Sequence, residues 1–537
     1  MMVKIQLFFK QYSLRNYLWP FVSGLLIGTS YIPFPPWALL FCYAPLWIFL
    51  FHKAKTWKEG FAAGWWTQFT LSLIGFHWVS YVTKQFGGFP WPAALVVLLL
   101  FAAFVHLYIP ITAALVVYLK QKYSWSLSKT LLAAALFLSI AERIWPAIFP
   151  WHLGYTLLWA KIPAYNWADV IGFEGLSTIV LLLNAWIAWI WEHRQQRGAL
   201  QKHGFLLVAF VVAINLSGYF HGQSWNEFDR KLTVSIIQAN IGDFEKVYAE
   251  QGQGNFQESI VQKFLALTRE EVAKTSNTEL IVWPETAIPE YMDFFNAHGK
   301  IPRLLGAGLL PMGKTLLSGS YSKDAPGEKS PRQTYNALFL LDSNAFAIGQ
   351  PYRKTNLLAF GEYLPFSERF PILLKLLPFV SNFGRGHGPE VLNYPHPEGD
   401  LKIGGQICYE GLYPEFTRGL AEKQADILAN VTNDSWFGRP SEPRQHLYMT
   451  LARAIEVRRP LIRSTNTGIS TVVLANGDVL QQSPLHKEWH GSYEVLMKKS
   501  PPTTDFVLWG HYDWILILIA LIALLVKGVR DARPHRA

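Results

Sequence analysis

Cysteine is nearly absent: the 537 residues hold two, Cys42 and Cys408, too few for a disulfide scaffold. Charge is scarce as well. Lys, Arg, Asp and Glu make up 16% of the chain, against roughly 25% in an ordinary soluble domain. With 51% hydrophobic residues, so little charge excludes an intrinsically disordered chain. No Cys-x-x-Cys pair occurs and the 15 His are scattered, so no metal site is expected. No glycine-rich phosphate loop follows a strand-like run, and no cofactor is expected. No internal repeat or low-complexity segment is evident.

The scarce charge is unevenly placed. Residues 17–51, 60–83 and 85–119 contain no Lys, Arg, Asp or Glu. Such runs exceed the ~20 apolar residues that span a bilayer. The first is long enough for two passes, with Pro33, Pro35 and Pro36 at the turn. Spans are predicted near 17–32, 36–52, 60–82, 92–119, 128–146, 170–192, 203–221 and, after a long polar interval, 507–527. This divides the chain into a membrane domain (1–221), a soluble domain (222–506) and a last helix with its tail (507–537). Basic residues fill alternate loops: Lys4, Lys10 and Arg15; Lys53, Lys55 and Lys58; Lys120, Lys122 and Lys129; Arg194, Arg197 and Lys202; Lys527, Arg530, Arg533 and Arg536. Because basic loops stay cytoplasmic, both termini are expected inside and 222–506 outside. The net charge of +10 is then a topology signal, and no nucleic-acid partner is expected. Glu142 and Arg143 fall near a helix end, where interfacial anchoring is as good a reading as function.

The soluble segment alternates strand-like and helical patterns, which predicts an α/β layer fold. Strand-like runs cover 232–241, 279–283, 315–320, 337–341, 403–408, 427–431 and 471–474, with helices over 256–274 and 444–458. In such folds reactive residues gather just past the carboxyl ends of strands. Three ends carry chemistry. Leu280–Trp283 leads to Glu285, Ala347–Arg353 to Lys354, and Ile403–Ile407 to Cys408. Singly, these would be a turn carboxylate, a solvated lysine and a small buried hydrophobe. Together they form an acyl-transfer set: a thiol to attack a carbonyl, a carboxylate to take its proton, and an ammonium for the oxyanion. The lysine also favours the thiolate. Cys42, the other cysteine, is expected inside a membrane helix, so Cys408 is expected to be a free thiol. After Glu362, the apolar run 370–380 and the glycines at 384–388 suggest a lid beside the site.

Trp283-Pro284-Glu285, Tyr352-Arg353-Lys354 and Cys408-Tyr409-Glu410 resemble the three signatures of the nitrilase (carbon–nitrogen hydrolase) superfamily. Phe360-Gly361-Glu362-Tyr363-Leu364-Pro365 and Asn433-Asp434-Ser435-Trp436-Phe437 are similar to two further segments of it. With seven apolar spans before this domain and one after, the full length resembles the bacterial apolipoprotein N-acyltransferases, a membrane-bound branch. The resemblance implies a four-layer αββα sandwich on an eight-helix membrane domain. It implies Glu285 as general base, Lys354 as oxyanion stabiliser, Cys408 as nucleophile and Glu362 as the carboxylate orienting Lys354. Tyr409, Glu410, Asn336, Trp436 and Phe437 match positions around the pocket. The implied donor is a phospholipid, with phosphatidylethanolamine expected; the acceptor is a diacylglyceryl apolipoprotein, and the place the bacterial inner membrane with the catalytic domain periplasmic. Relatives often have Lys-Trp where this chain has Lys246-Val247, a departure in the pocket wall. The alternative is a membrane-tethered nitrilase-type amidase that hydrolyses a C–N bond.

Overall fold

The computed structural model describes residues 14–85, 87–147, 149–242, 254–293, 297–327, 332–367, 369–376, 380–438 and 441–532. Lys246-Val247 and the terminal Lys4, Lys10, Arg533 and Arg536 lie outside the described residues. The chain divides into two compact units. One comprises the residues up to His221 and those from Leu508 onward; the other is Gly222–Val507.

The first unit is helical. All eight expected spans fall on helices, but four described stretches have the length and hydropathy to cross a membrane: Trp91–Tyr123, Pro163–Glu192, Arg197–Gln223 and Gly510–Asp531. The remaining helices do not meet both conditions, and the bounds of several spans differ from those expected. The second expected span begins at Ala44 rather than near 36, and Cys42 lies on the turn before it, not inside a helix. The third divides into Trp57–Gly75 and Trp78–Gln85. The fourth breaks between Phe104 and Tyr108, where Pro110 withholds the N–H that would continue the ladder. Backbone groups freed by a break in an apolar setting need new partners. Here Gln68 Oε1 accepts from His106 N at 3.1 Å, and Ala103 O accepts from Gln68 Nε2 at 2.8 Å. Lys120, expected in a loop, is buried and donates to Leu50 O, Phe51 O and Ala54 O at 2.7, 2.8 and 2.8 Å. It caps the C-terminus of Ala44–His52, where a cation meets the negative helix end. Arg143 is likewise no free interfacial anchor. Its guanidinium pairs with Asp513 at the start of the last helix, one bond being 2.6 Å, while Glu142 accepts from Ser177 Oγ at 3.2 Å.

The second unit holds two sheets. Its strands are β1 (Arg230–Gln238), β2 (Leu280–Val282), β3 (Ile288–Tyr291), β4 (Thr315–Lys323), β5 (Thr334–Leu341), β6 (Tyr352–Arg353), β7 (Val391–Tyr394), β8 (Leu401–Ile407), β9 (Ile427–Thr432), β10 (Leu461–Thr465), β11 (Thr471–Val473) and β12 (Trp489–Met497). One sheet runs β12-β1-β2-β4-β5-β6 with β3 beside β4; the other runs β11-β10-β9-β8-β7. The central pairs β1–β2, β2–β4, β8–β9 and β9–β10 are parallel. Parallel central strands buried on both faces explain the continuous apolar runs in the sequence.

Alternation along the strands sorts the layers. Ile237, Ile281, Leu316 and Leu341 share a cluster with Phe264 and Leu265 of helix Gly254–Lys274 and Leu305 of helix Lys300–Leu309. Their strand neighbours Ile236, Val282, Leu317 and Leu340 therefore face the other way. The glycine pair of β8 shows what they face. A Cβ on Gly405 would lie 3.1 Å from Leu338 of the first sheet, whereas one on Gly404 would lie 3.2 Å from Leu420 of helix Pro414–Glu422. Two sheets thus pack face to face with helices on both outer sides. The expected strand over 347–354 is only β6, because Gly349 at φ 74° and Pro351 interrupt it. Within the apolar run expected to be a lid, Ile372–Leu376 form a short helix, with Phe370 and Ile372 exposed; 377–379 lie outside the described residues.

Candidate active site

Each of the three expected side chains lies just past a carboxyl end. β2 stops at Val282 and Glu285 follows in a turn; β6 stops at Arg353 beside Lys354; β8 stops at Ile407 beside Cys408. The folded chain converges these ends although they are far apart in sequence. Lys354 Nζ lies 3.2 Å from Glu285 Oε1 and 2.8 Å from Glu362 Oε1. Asn336, on β5, donates its amide to both carboxylates, at 2.7 Å to Glu285 and 3.0 Å to Glu362. The other oxygen of Glu285 accepts from Asn433 N at 2.9 Å, and that of Glu362 from Leu358 N at 2.8 Å. Burial works against the Lys354 ammonium, yet Glu285, Glu362 and Cys408 outweigh it and hold its pKa well above the ordinary lysine range. It is a fixed positive charge, as an oxyanion requires.

The thiol is different. Burial pushes the Cys408 pKa up and Glu285 pushes it further, against a smaller opposite pull from Lys354. Lys354 favours the thiolate, as expected from sequence, but burial and Glu285 outweigh it. A protonated resting thiol needs a base at the moment of attack, and Glu285 is the carboxylate beside it.

Glu410 holds the loop. One oxygen accepts from Tyr352 OH at 2.5 Å, Thr355 N at 2.7 Å and Asn356 N at 3.0 Å; the other accepts from Ile407 N at 2.8 Å. A single carboxylate thereby ties the lysine strand to the cysteine strand. Burial lifts its pKa to about 7, opposed by Lys354 and these donors. Tyr409 is buried with its ring edge-on to Tyr413, centroids 5.1 Å apart. Trp436 and Phe437 sit on the single turn Asp434–Phe437 that follows Asn433. On the segment that carries Glu362, Phe360 and Phe366 are 51% and 75% exposed.

Sequence reasoning missed a further buried layer. Asp434, Glu442 and His446 bring potential ligand atoms within 4.8 Å of one another. The donor set fits a cation poorly. Asp434 already accepts from Thr432 Oγ1 at 3.2 Å and from Arg463 at 3.1 Å, so a cation would sit beside a guanidinium. Burial, with Asp434 beside it, also holds the Glu442 carboxyl pKa well above the usual range. Asn430, His446 and Arg463 carried no signal in the sequence, because strand and helix interiors show nothing of what they face across the fold.

Two family models match the chain: carbon-nitrogen hydrolase over residues 233–490 and the apolipoprotein N-acyltransferase N-terminal domain over residues 23–186. The first covers the two-sheet unit, in agreement with the nitrilase-like α/β fold expected from the motifs. The chain is 55% identical over 531 residues to an apolipoprotein N-acyltransferase of Bdellovibrio bacteriovorus, covering 99% of this chain and 97% of that one. It is 30% identical over 484 residues to one of Geobacter metallireducens, covering 88% of each. It is 26% identical over 530 residues to one of Vibrio parahaemolyticus, covering 94% of this chain and 96% of that one.

Proposed function

This chain belongs to the apolipoprotein N-acyltransferase family, and from that premise we propose how its own residues carry the reaction. The substrate pair is a phospholipid, phosphatidylethanolamine in our reading, and the α-amine of a diacylglyceryl-cysteine on an apolipoprotein. The observation that carries this reading is the buried Lys354 ammonium shared by Glu285 and Glu362 beside the lone thiol of the second unit.

In the first half, Glu285 takes the Cys408 proton as Sγ attacks the ester carbonyl. Lys354 and its hydrogen-bonding frame stabilise the oxyanion. The tetrahedral adduct expels the lysophospholipid alkoxide, which receives the proton from Glu285, and a thioester remains. In the second half, the acceptor amine attacks the thioester, Glu285 takes its proton, and the Cys408 thiolate leaves and is reprotonated. Glu362 orients Lys354; Asn336 orients both carboxylates; Glu410 fixes the loop bearing Cys408. Tyr409, Trp436 and Phe437 are read as pocket wall. The exposed Phe360, Phe366, Phe370 and Ile372, on the segment that carries and follows Glu362, support an acyl donor, since exposed apolar side chains give a lipid chain a place outside water.

An assay that counts both products tests the reading against a hydrolytic one. Supplied with phosphatidylethanolamine and a diacylglyceryl-cysteine peptide, the protein is expected to yield N-acylated peptide and lysophospholipid in equal amounts. Free fatty acid without N-acylated peptide would replace acyl transfer by hydrolysis, the amidase-like alternative.

The long apolar helices support a membrane protein, and the family assignment agrees. We place the second unit in the periplasm and both termini in the cytoplasm, on the bias of Lys and Arg toward alternate loops. In a Cys408→Ala background only the buried Cys42 remains, so a cysteine introduced at exposed Glu398 gives a clean label. Glu398→Cys is expected to react with an impermeant maleimide in cells with only the outer membrane opened. Reaction only after the inner membrane is breached would reverse the orientation.

A further inference from the structure

Behind the nucleophile lies a polar layer that takes no part in the steps above. Asn430, Thr432, Asp434, His446, Thr450 and Arg463 are all fully buried. Cys408 itself has φ 52°, in the left-handed region that a non-glycine residue keeps only when its surroundings hold it there.

The holding groups lie on both sides of Cys408. Before it, the Ile407 N–H is bound to Glu410 Oε2 at 2.8 Å. After it, the Cys408 carbonyl accepts from Asn430 Nδ2 at 3.1 Å. The peptide that follows Cys408 is thus held directly and the strand end one residue before it is held by Glu410, which together restrain the direction of the Cys408 side chain. Asn430 is itself fixed. Arg463 donates through Nη1 to Asn430 Oδ1 at 2.6 Å and to Thr450 Oγ1 at 3.2 Å, and through Nη2 to Asp434 Oδ2 at 3.1 Å. The guanidinium therefore settles which end of the amide faces Cys408. An oxygen there would meet the carbonyl oxygen, and a buried pair of acceptors is costly. His446 also approaches, with Nε2 3.4 Å from the same carbonyl and Nδ1 3.0 Å from Asp434 Oδ1. Burial and Arg463 hold its pKa below the ordinary histidine range, so the ring is neutral. A neutral ring has one N–H, and the shorter contact takes it to Asp434. Asn430 is left as the donor to the carbonyl.

We propose that Asn430, locked in orientation by Arg463 and Asp434, is a positioning residue that holds Cys408 in its left-handed conformation and so aims the thiol at Glu285 and Lys354. This rests on the acyl-transfer reading for its purpose, but its geometry is tested without a lipid. Alkylation of the full-length protein by iodoacetamide reports how readily Cys408 gives up its proton to the neighbouring base. Cys42 is the only other thiol and is scored separately by peptide mass spectrometry.

Asn430→Leu, which has similar volume and no donor, is expected to slow Cys408 alkylation about tenfold at pH 7. The difference should vanish near pH 10, where hydroxide replaces the base. Acyl-enzyme formation should slow in the same proportion, with the KM for phospholipid within about twofold of wild type. A merely structural role would lower the melting temperature without this pH-dependent convergence. If Asn430→Leu does not fold, Arg463→Lys keeps the buried charge but loses the two-pronged grip, and the same pattern is expected at smaller amplitude. His446→Gln should alter alkylation less than Asn430→Leu. Wild-type alkylation rates at pH 7 in folded Asn430→Leu or Arg463→Lys, or a larger effect from His446→Gln, would overturn the proposal. Failure of the wild-type protein to acylate Cys408 would instead sink the acyl-transfer reading, and the alkylation comparison would still stand.

Discussion

Incubated with phospholipid and no acceptor, the protein is expected to accumulate one acyl group on Cys408, and Cys408→Ala to accumulate none. The thiol stands beside a carboxylate and an ammonium, and burial keeps it protonated until the substrate arrives. The first half-reaction needs no amine, so in an acyl transferase, where water reacts with the thioester more slowly than the amine does, the adduct should accumulate when no acceptor is present. Neutral hydroxylamine should release the adduct, as it does a thioester and not an amide. Intact-mass measurement with peptide mapping checks this directly. An acyl group on another residue, or turnover retained by Cys408→Ala, would remove Cys408 from the mechanism.

The second large effect is expected at the two charges that face the thiol. Glu285→Gln preserves shape and removes the base, so thioester formation should fall roughly 10²–10⁴-fold. Lys354→Met removes the oxyanion charge, worth about 3–4 kcal/mol of barrier for a preorganised donor. It also strips the counter-ion from Glu285 and Glu362, which both lie within 3.2 Å of Nζ. Breaking a buried ion pair from one side typically costs ~3–5 kcal/mol of stability, so Lys354→Met should unfold at lower temperature as well as turn over slowly. Glu362→Gln should hurt less than Glu285→Gln, because its amide still receives the Leu358 N–H or meets Asn336 through its oxygen. Single-turnover acylation rates, paired with thermal unfolding of each variant, separate chemistry from folding. Near-normal acylation in Lys354→Met, or a deeper loss in Glu362→Gln than in Glu285→Gln, would reassign the roles.

The division of the chain into apolar helices and an α/β domain follows from the sequence by itself. Charge-free runs and strand–helix alternation are local, and a bilayer or a sheet core selects on just those patterns. Glu285, Lys354 and Cys408 were legible too, because a polar residue at the end of an apolar run stands out in one dimension. The edges and breaks of the spans depend on pairing between helices. Pro110 breaks one helix, and Gln68 from another helix satisfies the backbone at the break. Lys120 looks like a loop charge until the carbonyls of Leu50, Phe51 and Ala54 converge on it.

Only the tertiary structure decided the protonation state of the site and its backing. The sequence sets a lysine near a cysteine in kind, but the sign of the thiol shift depends on burial and on Glu285 outweighing Lys354. Asn430, Asp434, His446 and Arg463 come from β9, the turn after it, the following helix and β10, and meet behind Cys408 only when those elements pack. Polar residues inside apolar elements give no one-dimensional sign of their partners, because a hydrogen bond is fixed by distance and direction in space, and sequence separation fixes neither.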